Sequence, residues 1–275
     1  MDGTEVQENM HRTLPASLAP VVAEFEMRDA KVVTLAEIAR IAGLDGQTSA
    51  RRLAYRLVQA RWLRPLAVKG TYEFLPGRAG PFSRGDDLDV LRGLLRQRPA
   101  TEVQLSSSGA AFLRGFADRA PVEFTVLVPA ALPVSATLRR TYRFHWVASG
   151  RIFGSSPLEG IPVSTPDRLV LDVALWPDDV GPAMRDRDHW LRRALEHSTP
   201  EGVVGYLRRL DSPVVTARAG HLADAFGRPD IADAIAGLGR ARLLVPLLPG
   251  FASTSPAHRD RRFNVLDPIG AGSVE

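Results

Sequence analysis

The sequence predicts an α/β (α+β) chain in two parts: an N-terminal winged helix-turn-helix over residues 1–77 and a larger mixed α/β domain over residues 86–275. Three observations predict it. A capped short helix is followed by a glycine turn, a longer helix and a hairpin pattern, all before residue 77. A Pro/Gly-rich stretch, Pro76-Gly77-Arg78-Ala79-Gly80-Pro81 and on to Gly85, reads as a linker. Beyond it, strand-like β-branched and aromatic runs alternate with helical patterns.

The first helix reads from about Ser17 to Asp29, with Leu18, Val21, Val22 and Phe25 at helical spacing, and residues 1–13 before it read as loose. Thr34-Leu35-Ala36-Glu37 is a capping box, in which the hydroxyl takes one orphan amide and the glutamate reaches back to another. Leu35, Ile38, Ala39 and Ala42 then bury one face, Gly43 ends the helix and Asp45-Gly46 turns the chain. The longer helix runs from about Gln47 to Trp62. Leu66-Ala67-Val68, a turn at Lys69-Gly70-Thr71, and Tyr72 to Leu75 follow as a hairpin.

In the second part, Asp86 to Gln97 reads as a helix opened by acids and closed by arginines, which suits the macrodipole. Residues 105–117 read as a helix, and 123–128 and 141–147 as strands. Thr165 caps a helix with Pro166 at its first position, burying Leu169, Val170, Val173 and Ala174. The pattern is helical again from Asp186, with a cap at Thr199-Pro200 and a break at Gly227-Arg228-Pro229; the last stretch is Pro/Gly-rich and irregular.

The face pattern of the longer N-terminal helix points to its partner. Ala50, Leu53, Ala54, Leu57 and Val58 form an inward stripe, which turns Thr48, Ser49, Arg52, Tyr55, Arg56 and Gln59 outward with Arg51 on the flank. Five arginines and no acid fall between Gln47 and Arg64. Such a face suits the major groove of duplex DNA, which admits an α-helix and offers base-edge acceptors to arginine. The predicted contact set is Gln47, Thr48, Ser49, Arg51, Arg52, Tyr55, Arg56, Arg64 and, at the hairpin tip, Lys69. By phase, Arg61 falls inward and is expected to pair or snorkel. The same pattern also fits a merely solvated face or a protein-interaction module, and it is the agreement of cap, turn, face and hairpin that favours DNA. Arg259, Arg261 and Arg262 form a candidate second basic patch, for which a solvated charge run is the plainer reading.

Composition narrows the classes. With 45% hydrophobic and 24% charged residues the chain is ordinary for a globular protein with a sizeable core, and its net charge of +4 does not mark a nucleic-acid binder by itself. Lys31 and Lys69 are the only lysines. The absence of cysteine excludes disulfides and thiolate metal sites. No apolar run is long enough to span a bilayer and the N-terminus is polar and acidic, so a cytoplasmic location is expected. The six histidines show no paired-ligand spacing, Ser106 to Gly109 is a helix entry without G-x-S-x-G spacing, and Asp86, Asp87 and Asp89 lack the Gly-Ser turn that nucleotidyl-transfer carboxylates need. No catalytic residue, metal or cofactor is predicted.

The chain resembles the AbiEi family, antitoxins of type IV toxin–antitoxin systems, in its actinobacterial form. The resemblance rests on four stretches. They are the N-terminal module with Gly70-Thr71-Tyr72; Ser108 to Phe116 (SGAAFLRGF); Gly160 to Arg168 (GIPVSTPDR) with Leu171-Asp172; and Ala217 to Leu222 (ARAGHL) followed by 246–250 (PLLPG) and 261–265 (RRFNV), with Phe263 where the family more often has tryptophan. It implies an N-terminal domain that binds inverted repeats in its own promoter and represses the operon. It also implies a C-terminal domain that counteracts a nucleotidyltransferase-like toxin, with or without direct contact, and no enzymatic activity. The alternative is a winged-helix regulator whose C-terminal domain senses a small molecule.

Overall fold

The computed structural model describes residues 12–79, 85–186, 188–239, 241–249 and 258–272. The chain divides into two compact units between Thr101 and Glu102. The first contains α1 (Ala19–Met27), β1 (Val32–Thr34), α2 (Leu35–Ile41), α3 (Gln47–Gln59), β2 (Leu63–Pro65), β3 (Thr71–Phe74) and α4 (Asp89–Gln97). Its strands form an antiparallel sheet in the order β1-β3-β2. One apolar cluster holds it together: Leu18, Val21, Val22 and Phe25 of the first helical segment meet Ile38, Leu53, Leu57, Trp62 and Phe74. Phe25 and Phe74 touch edge to face with centroids 5.4 Å apart.

Three expectations need correction in this unit. The hairpin's first strand is Leu63–Pro65 rather than residues 66–68, with Leu63 opposite Phe74 and Pro65 opposite Tyr72. The Leu66 amide donates to the Thr71 carbonyl at 3.1 Å, and the Val68 carbonyl is taken by both the amide and the hydroxyl of Thr71, at 3.2 and 2.7 Å, so residues 67–70 close the loop instead of extending the ladder. The start of the chain is not loose throughout. Arg12 donates to the carbonyls of Arg61, Leu75 and Pro76 and lies over the Trp62 ring, while Trp62 Nε1 donates to the Thr13 carbonyl. Residues 1–11 lie outside the described ones. Finally, the compact units part at residue 102, whereas the sequence reading began the second domain at residue 86. α4 belongs to the first unit because Leu91 and Leu94 are buried there and the helix packs on β1 and β3. Of the linker, residues 80–84 lie outside the described ones, and Gly77–Ala79 is a single 3-10 turn.

The second unit contains β4 (Gln104–Ser106), α5 (Ser107–Leu113), β5 (Phe124–Pro129), α6 (Ala136–Thr141), β6 (Tyr142–Val147), β7 (Ser155–Leu158), β8 (Ile161–Ser164), α7 (Pro166–Leu175), α8 (Trp190–Glu196), α9 (Pro200–Leu210), α10 (Pro213–Ala225), α11 (Pro229–Ala236), β9 (Val245–Pro246), β10 (His258–Asp260) and β11 (Val265–Asp267). Its main sheet runs β6-β5-β4-β8-β7 and mixes parallel with antiparallel neighbours. α7 is apolar on nearly every side, with Leu169, Val170, Leu171, Val173 and Ala174 all buried, and α8, α9 and α10 pack around it. That is how a helix at the centre of a core reads. Thr165, Thr199 and Ser212 each cap the following helix by accepting an amide hydrogen bond, and a proline opens each of those helices.

Two further expectations are corrected here. Residues 105–117 are not one helix but a strand, β4, turning sharply into α5 at Ser107, whose φ of +49° lies in the left-handed region. The C-terminal stretch is not irregular throughout. β9, β10 and β11 form a small sheet in the order β10-β11-β9 that packs on α10. Its strands are two or three residues long, too short for their periodicity to register in the sequence. Among the described residues, no helix is long and apolar enough to cross a membrane.

Candidate nucleic-acid interface

The turn between α2 and α3 sets the presentation of α3. The Thr34 hydroxyl accepts from the Glu37 amide at 3.2 Å, and Glu37 Oε2 accepts from the Thr34 amide at 2.7 Å, so the expected capping box starts α2. Gly43 at φ +61° and Gly46 at φ +102° let the chain leave one helix and enter the next, conformations that a Cβ would strain. Gly46 provides no side-chain cap, so the first amides of α3 point outward without a side-chain acceptor.

α3 buries Ala50, Leu53, Ala54 and Leu57, and half-buries Val58. Gln47, Thr48, Ser49, Arg51, Arg52, Tyr55, Arg56 and Gln59 are all exposed, Tyr55 at 64%. Arg51 Nη2 donates to Gln47 Oε1 at 3.2 Å and Arg56 Nη2 to the Ser17 hydroxyl at 2.6 Å, both neutral acceptors. Among the described residues, none of Arg51, Arg52 and Arg56 is ion-paired to a carboxylate. Three guanidinium charges therefore share one face with a large exposed aromatic ring.

Lys69 is exposed in the hairpin turn and its carbonyl accepts from Gln97 Nε2 of α4 at 2.9 Å. Arg96 of α4 pairs with Glu37 of α2 at 2.6 Å, so α4 ties the turn and α2 together. Sequence reasoning missed this support because it assigned α4 to the other domain. Asp86 and Asp89, also considered as catalytic carboxylates, instead hold the buried Arg92 at 2.6 and 2.7 Å. Burial lifts Asp89 above the ordinary carboxylate range. At Asp86 burial is outweighed by the Leu88 amide and Arg92, which hold its carboxyl low.

One predicted contact, Arg64, is placed differently, and Arg61 was expected to turn inward. Arg64 lies on β2, where Nε and Nη2 donate to the nearly buried Glu73 at 2.7 and 2.5 Å, and burial raises that carboxyl despite the arginine. Its guanidinium is thus engaged in the sheet. Arg61 lies past the end of α3 in a left-handed conformation, with its carbonyl held by Arg12. The cluster near the C-terminus is also divided. Arg262 pairs with Asp224 and Asp233, Arg259 Nη2 donates to Asn264 Oδ1 at 3.0 Å, and Arg261 is exposed. Two of these three arginines therefore serve local contacts.

The second unit keeps its polar groups inside. Asp172 of α7 accepts from the hydroxyls of Ser106 and Ser164 and from Arg168 Nε, each at 2.7 Å, and Gln104 donates to Ser164 at the same distance. Arg168 is fully buried, donates to the Arg151 carbonyl and lies 4.5 Å from the Phe153 ring centroid. Arg218 of α10 donates to the carbonyls of Pro246 and Ala174. His221 is clamped between Asp260 at 2.9 Å and Asp267 at 3.1 Å. Burial alone would lower its pKa, but the two carboxylates raise it to about 9. His189 is the reverse, buried beside α8 and pushed down to about 4, where its neutral Nδ1 accepts the Leu191 amide. Among the described residues, no group of three His, Asp or Glu side chains is placed to hold a metal ion.

This buried framework coincides with a known family. The stretch from residue 102 to 225 matches the AbiEi antitoxin C-terminal domain. The second unit carries an AbiEi antitoxin domain. The crystal structure of the RV2827C protein from Mycobacterium tuberculosis is similar over 94% of each chain, with a TM-score of 0.72 and 21% identity, and it shows the same mixed α/β fold. No curated protein matches. The residue blocks that resemble the family do physical work within the second unit. Gly109 lets the Phe124 ring approach to where a Cβ would sit 2.7 Å from it, Ser164, Arg168 and Asp172 build the buried network, and a Cβ at Gly220 would collide with the Phe263 ring.

Proposed function

We propose that the chain is the DNA-binding antitoxin of a type IV toxin–antitoxin system, non-enzymatic and cytoplasmic. It would repress its own operon through inverted repeats and counteract a nucleotidyltransferase-like toxin encoded beside it. The antitoxin role follows from the domain at residues 102–225. The observation that supports DNA binding is the outer face of α3, where Arg51, Arg52, Tyr55 and Arg56 are exposed on a well-packed helix and, among the described residues, the three arginines have no carboxylate partner. We read the first unit as a winged helix-turn-helix, with α3 in the major groove, Thr48, Ser49 and the uncapped helix start on phosphate, and Lys69 on the neighbouring backbone.

A gel-shift titration with the operon's promoter tests this reading. Arg52→Ala combined with Arg56→Ala is expected to weaken promoter binding by about 1–3 kcal/mol for each arginine that reads a base. Lys69→Ala is expected to weaken binding to all sequences alike and to flatten the salt dependence by about one unit of slope. Unchanged promoter affinity in the double variant would remove α3 as the reading helix. Co-expression with the neighbouring gene tests the other half: relief of toxicity by the full chain is expected, and a harmless neighbour would count against it.

A further inference from the structure

The first unit holds a cavity of about 580 Å³ between α2, the start of α3 and the hairpin turn. Its lining is largely apolar, with Ala36, Ala39, Ala50 and Tyr72, and carries the amides of Gln47 and Gln97 and the two cations Arg51 and Lys69. Among the described residues, no aspartate or glutamate lines it. The volume lies within the range of small-molecule sites, which are apolar hollows with a few placed polar groups. Both cations are exposed, neither is ion-paired among the described residues, and the start of α3 beside them has no side-chain cap. A largely apolar hollow whose charged groups are both positive, with open amide hydrogens beside them, complements one chemical class: a planar apolar body bearing a single carboxylate or similar acid group.

We infer that this groove is a binding site for such an organic anion, and that its occupancy excludes duplex DNA from α3. The apolar body rests on Ala36, Ala39 and Tyr72 while the acid group meets Arg51 and Lys69. Those two residues also belong to the proposed DNA contact, so one negative partner displaces the other. The exclusion rests on the DNA-binding reading above, whereas the ligand site stands on the cavity alone. A small-molecule input would thereby act on the DNA-binding unit itself, and not through the second unit.

Isothermal titration of the full chain with 2-naphthoate, and with neutral 2-naphthamide as its isostere, tests the inference. Saturable binding of one naphthoate per chain is expected, at least about tenfold tighter than the amide because the acid group forms charge-assisted hydrogen bonds. Ala36→Trp places a ring in the hollow from an exposed position and should abolish binding without unfolding the chain. Lys69→Gln should bring naphthoate close to the amide's affinity. Chain saturated with promoter duplex should take up no naphthoate. Absent binding, equal affinity for acid and amide, unchanged binding in Ala36→Trp, or undiminished uptake by the DNA complex would each overturn the inference. A chain that binds duplex but not naphthoate defeats this inference alone. One that binds naphthoate as described but no duplex refutes the DNA reading and the exclusion, and leaves the ligand site.

Discussion

The arginines of α3 and those of the second unit are the same side chain in opposite service. Among the described residues, Arg51, Arg52 and Arg56 stand in solvent with neutral acceptors or none, whereas Arg168 is fully buried against Asp172 and Arg218 spends its donors on the carbonyls of Pro246 and Ala174. A guanidinium in the interior must have its donors satisfied on the spot, because water is not there to do it. An arginine left without an internal carboxylate can instead receive an external anion. The difference teaches that arginine content says nothing about partners until the acceptors around each one are known. The cluster at residues 259–262 makes the point within a single stretch, since Arg262 is paired with Asp224 and Asp233 while Arg261 is exposed.

The comparison can be broken most forcefully from the buried side. Asp172→Ala leaves Arg168 charged without its carboxylate and strips an acceptor from Ser106 and Ser164, so unfolding should become easier by about 3–5 kcal/mol. Chemical denaturation would show a lowered midpoint. A midpoint within experimental error of the parent would mean that the network is not structurally important.

The clamp at His221 offers a somewhat smaller and pH-dependent effect. Its folded pKa of about 9 lies above the unfolded value of about 6.5, so its stabilisation is complete below pH 6.5 and is lost as pH rises through 9, on the order of 3 kcal/mol in all. His189 works in the other direction. Its folded pKa of about 4 lies below the unfolded value, so its contribution is present above pH 6.5 and falls away as pH drops towards 4. Stability of the second unit should therefore peak near pH 6.5, and His221→Gln should remove the alkaline limb, while also taking from Asp260 and Asp267 the cation that helps hold their carboxyls low. Thermal melts across pH 5–10 measure this, and a His221→Gln profile parallel to the parent's would refute the clamp.

The smallest effect sharpens the first unit. Thr34→Ala removes the hydroxyl half of the capping box and should cost about 1 kcal/mol of stability, while leaving the α3 face chemically intact. Set beside the Arg52→Ala, Arg56→Ala variant, in which DNA affinity should fall with little change in melting temperature, it separates support of the helix from what the helix presents. A loss of promoter binding in Thr34→Ala larger than its stability change would show that the two are coupled.

The first unit was largely legible because its signals are local. Thr34 with Glu37 fixes a helix start within four residues, and the phase of Ala50, Leu53, Ala54 and Leu57 fixes which side of α3 faces out. The hairpin was displaced by three residues because Val68 looks like strand yet gives its carbonyl to Thr71. In the second unit the caps at Thr165 and Thr199 and the break at Gly227 were readable for the same local reason. The partners of Asp172 were not: Ser106 is 66 residues away and reaches it only when β4 lies beside β8. The His221 clamp joins α10 to strands 39 and 46 residues further on.

Local sequence signals were enough for the helices of the first unit, the caps at Thr34, Thr165 and Thr199 and the cationic outer face of α3, since each depends on residues within one or two turns of one another. Only the tertiary structure decided the partners. It withdrew Arg64 into a pair with Glu73, placed α4 beneath the hairpin, hollowed the groove between Ala39 and Lys69, and set His221 between two aspartates. The physical reason is that burial and ion pairing are properties of neighbours in space, and folding supplies most of a side chain's neighbours from distant parts of the chain.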